Sequence, residues 1–71
     1  MVNTNALKAA MARKGLTQND VAKRISISTQ SFSAKILNKT EFKIDEVYKL
    51  RTLLALSGKE TMEIFFAKKL D

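Results

Sequence analysis

The chain has no cysteine, no histidine, no proline and only two glycines among its 71 residues. Without cysteine there are no disulfides and no thiolate chemistry, and without histidine there is no imidazole base or imidazole metal ligand. Together these absences remove most small enzymes. Clustered carboxylates, a nucleophile paired with a base and a glycine loop for cradling phosphate are missing too, so no enzymatic activity, metal or cofactor is expected. No apolar run approaches membrane-spanning length, and the N-terminus lacks the hydrophobic core of a signal peptide, so a soluble, cytoplasmic protein is expected. With no proline, linker or low-complexity stretch, residues 1–71 are expected to form one compact domain. Its 45% apolar content suffices for one small core.

What is present is helical periodicity. Asn3 or Thr4 caps a first helix that runs to about Lys14, with Leu7, Ala10 and Met11 on one face and Gly15 as a left-handed stop. From Thr17 to Asn38 the chain reads as two short helices and a tight turn. Thr17 caps the first, with Asp20 three residues on, and Val21, Ala22 and Ile25 form its apolar face. Ser26, Ile27 and Ser28 make the turn, with Ile27 pointing inward. Ser28 opens the second helix, which buries Phe32 and Ile36 and leaves Thr29, Gln30, Ser33, Ala34 and Lys35 over its remaining surface. That surface has donors and acceptors and almost no carboxylate, which suits base edges in a major groove. A helical hairpin with a merely solvated polar face fits the same spacing.

Beyond Asn38, a second left-handed stop, Phe42 is expected to plug an irregular stretch, Lys39 to Lys43, onto the core. A fourth helix from Ile44 or Asp45 has Val47, Leu50, Leu53 and Leu54 at amphipathic spacing, with Asp45 and Glu46 in its first turn, where negative charge suits the helix dipole. Ser57 to Glu60 reads S-x-x-E, a capping box opening a fifth helix to about Lys68. The fold class is therefore all-α.

Charge separates the bland reading of the helix pair from the functional one. Residues 1–43 hold Lys8, Arg13, Lys14, Lys23, Arg24, Lys35, Lys39 and Lys43 against Asp20 and Glu41, and so contain the whole net charge of +6. Residues 44–71 sum to zero. An excess confined to the half with the helix pair is what a phosphate-binding surface requires, although a solvated basic face has the same composition.

Leu16-Thr17-Gln18, Val21-Ala22, Ile25, Ile27-Ser28 and Phe32-Ser33, set in a five-helix layout, resemble the lambda-repressor-like helix-turn-helix family of Cro/C1-type phage repressors. The similarity spans about Leu7 to Phe66. FSAKILNKTEF and the later EIFF are most similar to small regulators of phages of Gram-positive bacteria. The resemblance implies a compact five-helix DNA-binding domain whose helices 2 and 3 form the helix-turn-helix, with a recognition helix at about 28–37 in the major groove of a double-stranded DNA operator. It implies that Thr29, Gln30, Ser33 and Ala34 read bases, Gln30 pairing with adenine and Ala34 meeting a thymine methyl. It likewise implies backbone contacts from Gln18, Ser28, Lys35, Lys39, Thr40 and Lys43, with Gln18 also bracing the recognition helix. Three positions depart from the pattern. Ser26 replaces the usual turn glycine, where a left-handed backbone costs about 1 kcal/mol or more, so a less regular turn is expected. Thr29 is shorter than the usual long side chain. Met11 and Ile36 replace the Arg and Glu that some relatives bury between helices 1 and 3, and are expected to be core.

Helix 5 adds a question of partners. Ile64, Phe65 and Phe66 are consecutive and spread over about 200° of a helix, more than one packed face covers. Tyr48, Phe65 and Phe66 have no evident place in the core, and Leu70 lies beyond them. Met62, Phe65 and Phe66 are expected to form a partner surface, for a homodimer on DNA or for a larger phage repressor, unless one aromatic simply remains half exposed. Two functions follow. One is a Cro-like, sequence-specific transcriptional regulator of a phage or prophage switch in the cytoplasm of a bacterial host. The other is an antirepressor that acts mainly by binding a larger repressor protein.

Overall fold

The computed structural model describes residues 1–66, and those residues form five α-helices with no strand. They are α1 (Thr4–Arg13), α2 (Gln18–Arg24), α3 (Thr29–Ile36), α4 (Ile44–Leu53) and α5 (Gly58–Phe65). The expected continuation of the last helix to Lys68, and Leu70, lie outside the described residues.

Each helix begins on a residue chosen for its side chain or for its partner. Asn3 Oδ1 accepts from Ala6 N–H, Ser28 Oγ from Ser31 N–H, and Thr17 with Asp20 and Ser57 with Glu60 form reciprocal capping boxes. Lys43 before α4 has no capping side chain. There Glu46 does the work from inside the helix, accepting from Lys43 N–H at 2.9 Å.

The C-termini share one solution. At Gly15, Ser26, Asn38 and Ala55 the backbone turns left-handed, with φ of 68°, 63°, 63° and 51°. In each case the next residue's N–H reaches back five positions: Leu16 to Met11 O, Ile27 to Ala22 O, Lys39 to Ala34 O and Leu56 to Arg51 O. This is the Schellman closure, which satisfies carbonyls that the helix end leaves unpaired. The turn between α2 and α3 is therefore as regular as the others, contrary to the expectation raised by Ser26.

The core is built on Leu7, Val21, Ile25, Phe32, Ile36, Leu50 and Leu54, all fully buried. Met11 and Ile36 are apolar core, as expected, and Phe42 joins Phe32 and Phe65 edge-to-face at centroid distances of 5.8 and 5.6 Å. Phe65 is consequently core. The backbone N–H of Val2 donates to Asn38 Oδ1 at 2.7 Å, and Asn38 Nδ2 donates back to Val2 O at 3.0 Å. Asn3 N–H reaches Ile64 O and Thr4 Oγ1 reaches Ile36 O. The start of the chain is thereby stitched to the ends of α3 and α5. No helix among the described residues is long and apolar enough to cross a membrane.

Candidate nucleic-acid interface

At 100° per residue, the buried Phe32 and Ile36 fix which way α3 faces. Gln30 and Ala34 lie opposite that buried stripe, Thr29 and Ser33 run along one flank, and Ser31 and Lys35 along the other. Thr29, Gln30 and Ser31 are exposed, while Ser33 and Ala34 are half-buried. No carboxylate interrupts the surface, since α3 reads TQSFSAKI. Of the four residues expected to read bases, Gln30 is the long, exposed member.

Each flank of α3 is tied to a neighbouring helix. On the first, Thr29 Oγ1 donates to Asn19 Oδ1 of α2 at 2.8 Å. Asn19, rather than the expected Gln18, makes this link to α3, while Gln18 stands half-buried beside it. On the other flank, Lys35 Nζ donates to both oxygens of Glu46 in α4, at 2.6 and 2.8 Å. Lys35 was expected among the phosphate contacts, and the structure corrects that assignment. Its side chain is 12% exposed and that of Glu46 6%, so its charge is already neutralised inside the protein. The geometry is close to ideal for a pair withdrawn from water, because the remaining Glu46 demand is met by Lys43 N–H. Burial pushes the Glu46 carboxyl up, but the hydrogen bonds from Lys35 and Lys43 and their charges outweigh it and hold the group below its ordinary value.

Lys39, Thr40 and Lys43 are exposed on the connection Leu37–Lys43, which leaves the end of α3. Glu46 fixes one end of this loop through Lys43 N–H, and Asn38 anchors the other to Val2. Ser28 uses its hydroxyl oxygen as the α3 cap, accepting from Ser31 N–H at 3.0 Å, and is itself exposed. Sequence reasoning missed Asn19, Ser31 and Glu46. Ser31 had a detectable signal, an exposed angle on the wheel, whereas the partners of Asn19 and Glu46 depend on how three helices pack. Among the described residues no three Asp or Glu side chains gather closely enough to hold a metal ion.

The expected partner surface changes membership. Phe65 is 6% exposed and Ile64 3%, so Phe65 leaves the set, whereas Met62 at 59% and Phe66 at 49% remain. Two residues of α4 join them, Ile44 and Tyr48, 63% and 64% exposed. These four, with Val47, Arg51, Gly58 and Thr61, line a groove of about 290 Å³ between α4 and α5. Among the described residues, Arg51 is its only lysine, arginine or carboxylate lining residue.

No protein-family model and no curated protein sequence matches this chain.

Proposed function

We propose that the chain is a sequence-specific, DNA-binding transcriptional regulator: a lambda-repressor-like domain in which α2 and α3 act as a helix-turn-helix and α3 enters the major groove, as in a Cro-like repressor of a phage or prophage switch. The observation that carries this reading is the outward surface of α3. It is polar, free of carboxylates, braced on both flanks by Asn19 and Glu46, and followed by exposed Lys39 and Lys43. Bracing matters because a reading helix must hold its side chains within hydrogen-bond tolerance of the base edges. Gln30 is the residue suited to adenine, Ala34 to a thymine methyl, and Lys39, Thr40, Lys43, Gln18 and Ser28 to the phosphates.

Selection of bound DNA from a random pool, repeated across salt concentrations, tests this. A defined motif is expected, with affinity falling steeply as salt rises. Gln30→Ala should cost about 1 to 3 kcal/mol and relax one position, while Lys39→Ala should weaken all sequences alike and reduce the salt slope by about 1. Affinity indifferent to both sequence and salt sinks the proposal.

A second reading is favoured by the groove lined with Ile44, Tyr48, Met62 and Phe66. Under it, the protein is an antirepressor that engages a larger repressor through apolar surface. The same groove serves the first reading as a homodimer contact, since a two-fold pair sets two α3 helices about 34 Å apart on a pseudo-palindromic operator.

A further inference from the structure

Asn19 and Thr29 meet where the first turns of α2 and α3 come together, and both are exposed. The Thr29 hydroxyl donates its one proton to Asn19 Oδ1 at 2.8 Å. With that proton engaged, Thr29 Oγ1 presents only lone pairs and its methyl to anything that approaches. Asn19 in turn has its carbonyl oxygen occupied on one side. Its two Nδ2 hydrogens have no partner among the described residues. The pair thus displays an acceptor from α3 beside a donor from α2.

In the major groove adenine offers a donor at N6 next to an acceptor at N7, whereas guanine offers two acceptors, O6 and N7. A single Asn or Gln side chain recognises adenine because its amide carries an acceptor and a donor together. Here the same two functions are divided between two helices and held side by side by the bond between them.

We propose that Asn19 and Thr29 act as one composite adenine reader, with Thr29 Oγ1 accepting from N6 and Asn19 Nδ2 donating to N7. This rests on the DNA-binding reading of α3. Asn19 thereby becomes a specificity-determining residue, and the shortness of Thr29 is explained: the second helix supplies the donor that a longer side chain at 29 would carry itself. Guanine is rejected because Thr29 has no proton left to give its O6.

The motif selected by the native protein supplies the probe, a duplex with an A·T pair at the position assigned to Thr29. Asn19→Ala and Thr29→Val are expected to relax preference at that same base pair, each lowering affinity by roughly 5- to 100-fold. Thr29→Ser, which keeps the hydroxyl, retains the preference. Replacing that adenine with 7-deazaadenine, which lacks the N7 acceptor, weakens the native protein and leaves Asn19→Ala unaffected. Both positions are exposed, so melting curves followed by circular dichroism should show native-like transitions for all three variants. The inference is overturned if the two variants relax different base pairs or if the shared pair is guanine-specific. It is also overturned if Asn19→Ala weakens every sequence equally with a shallower salt slope, the signature of a phosphate contact. A native protein that selects no sequence at all overturns the DNA-binding reading first, and this inference with it.

Discussion

Ala55 holds φ at 51° and Ser26 at 63°, a region where a side chain's Cβ crowds the following carbonyl. For residues other than glycine the left-handed conformation costs roughly 1 to 2 kcal/mol, a strain maintained here because each sits at the point where a Schellman closure needs that turn. Replacing either with glycine relieves the strain and loses some unfolded-state entropy in exchange. Ser26→Gly and Ala55→Gly should each raise stability by about 0.5 to 1 kcal/mol, measurable as an increased urea midpoint with an unchanged slope. The converse holds at Gly15: an added Cβ meets no atom within 4 Å, so Gly15→Ala should destabilise through backbone strain alone. Gly15 and Asn38 were legible as helix stops because their side chains tolerate positive φ. Ala55 was not, because alanine has no such preference; what marks the turn is the next residue, Leu56, which is buried and whose N–H closes on Arg51 O. Asn38 has a second reason for its identity, the paired hydrogen bonds to Val2, which glycine in its place would lose.

Between α3 and α4, one ion pair sets both the position of the outward helix and the shape of the loop that follows. Glu46 accepts from Lys35 Nζ and from Lys43 N–H, so removing it frees the end of α3 and the start of α4 together. Lys35→Met leaves a buried carboxylate without its counter-charge and should cost about 3 kcal/mol, a large share of what holds so small a domain. The double variant Lys35→Met with Glu46→Leu should recover much of that loss, because an apolar pair carries no desolvation cost. The folded-state carboxyl is depressed, so its contribution is complete above the ordinary Glu value of 4.5 and is lost as pH falls below it. Thermal melts between pH 6 and 3 should show native stability dropping in that window, with a smaller drop for Glu46→Gln. The five helices, the caps of α1, α2, α3 and α5 and the buried faces were legible because each is a local pattern of period near 3.6 or a cap three residues from its partner. Lys35 was misassigned because its partner lies eleven residues on, across a loop, and no local spacing marks a lysine as buried. Phe65 and Phe66 were inseparable in sequence, since which aromatic turns inward is decided by Phe42.

At the scale of the molecule, two ion pairs redistribute the charge that the sequence places in its first half. Arg13 pairs with Glu60 at 3.1 Å and Lys35 with Glu46, so each joins a cation of residues 1–43 to a carboxylate of the second half. The cations remaining in residues 1–43 are Lys8, Lys14, Lys23, Arg24, Lys39 and Lys43, all exposed, and none has a carboxylate partner among the described residues. Under the proposed DNA-binding role, a small cationic footprint of this kind would bind as a single copy only weakly, near micromolar and with strong salt dependence, so tight operator binding would require a second copy or a partner. The groove of Ile44, Tyr48, Met62 and Phe66 is the surface able to supply it. Its role can be isolated because Phe66 is half exposed while the adjacent Phe65 is core. Phe65→Ala should cost about 3 to 5 kcal/mol and unfold much of the protein, which tells nothing about partners. Phe66→Ala and Met62→Ala should leave the melting transition within about 0.5 kcal/mol of native and act on association alone. Mass in solution and operator affinity, measured on the same samples, then separate the two readings. If these variants turn a dimer into a monomer and DNA affinity falls with it, the groove joins two copies on the operator. Should they abolish capture of a larger repressor while operator affinity stays unchanged, and Gln30→Ala do the reverse, the protein acts on that repressor instead.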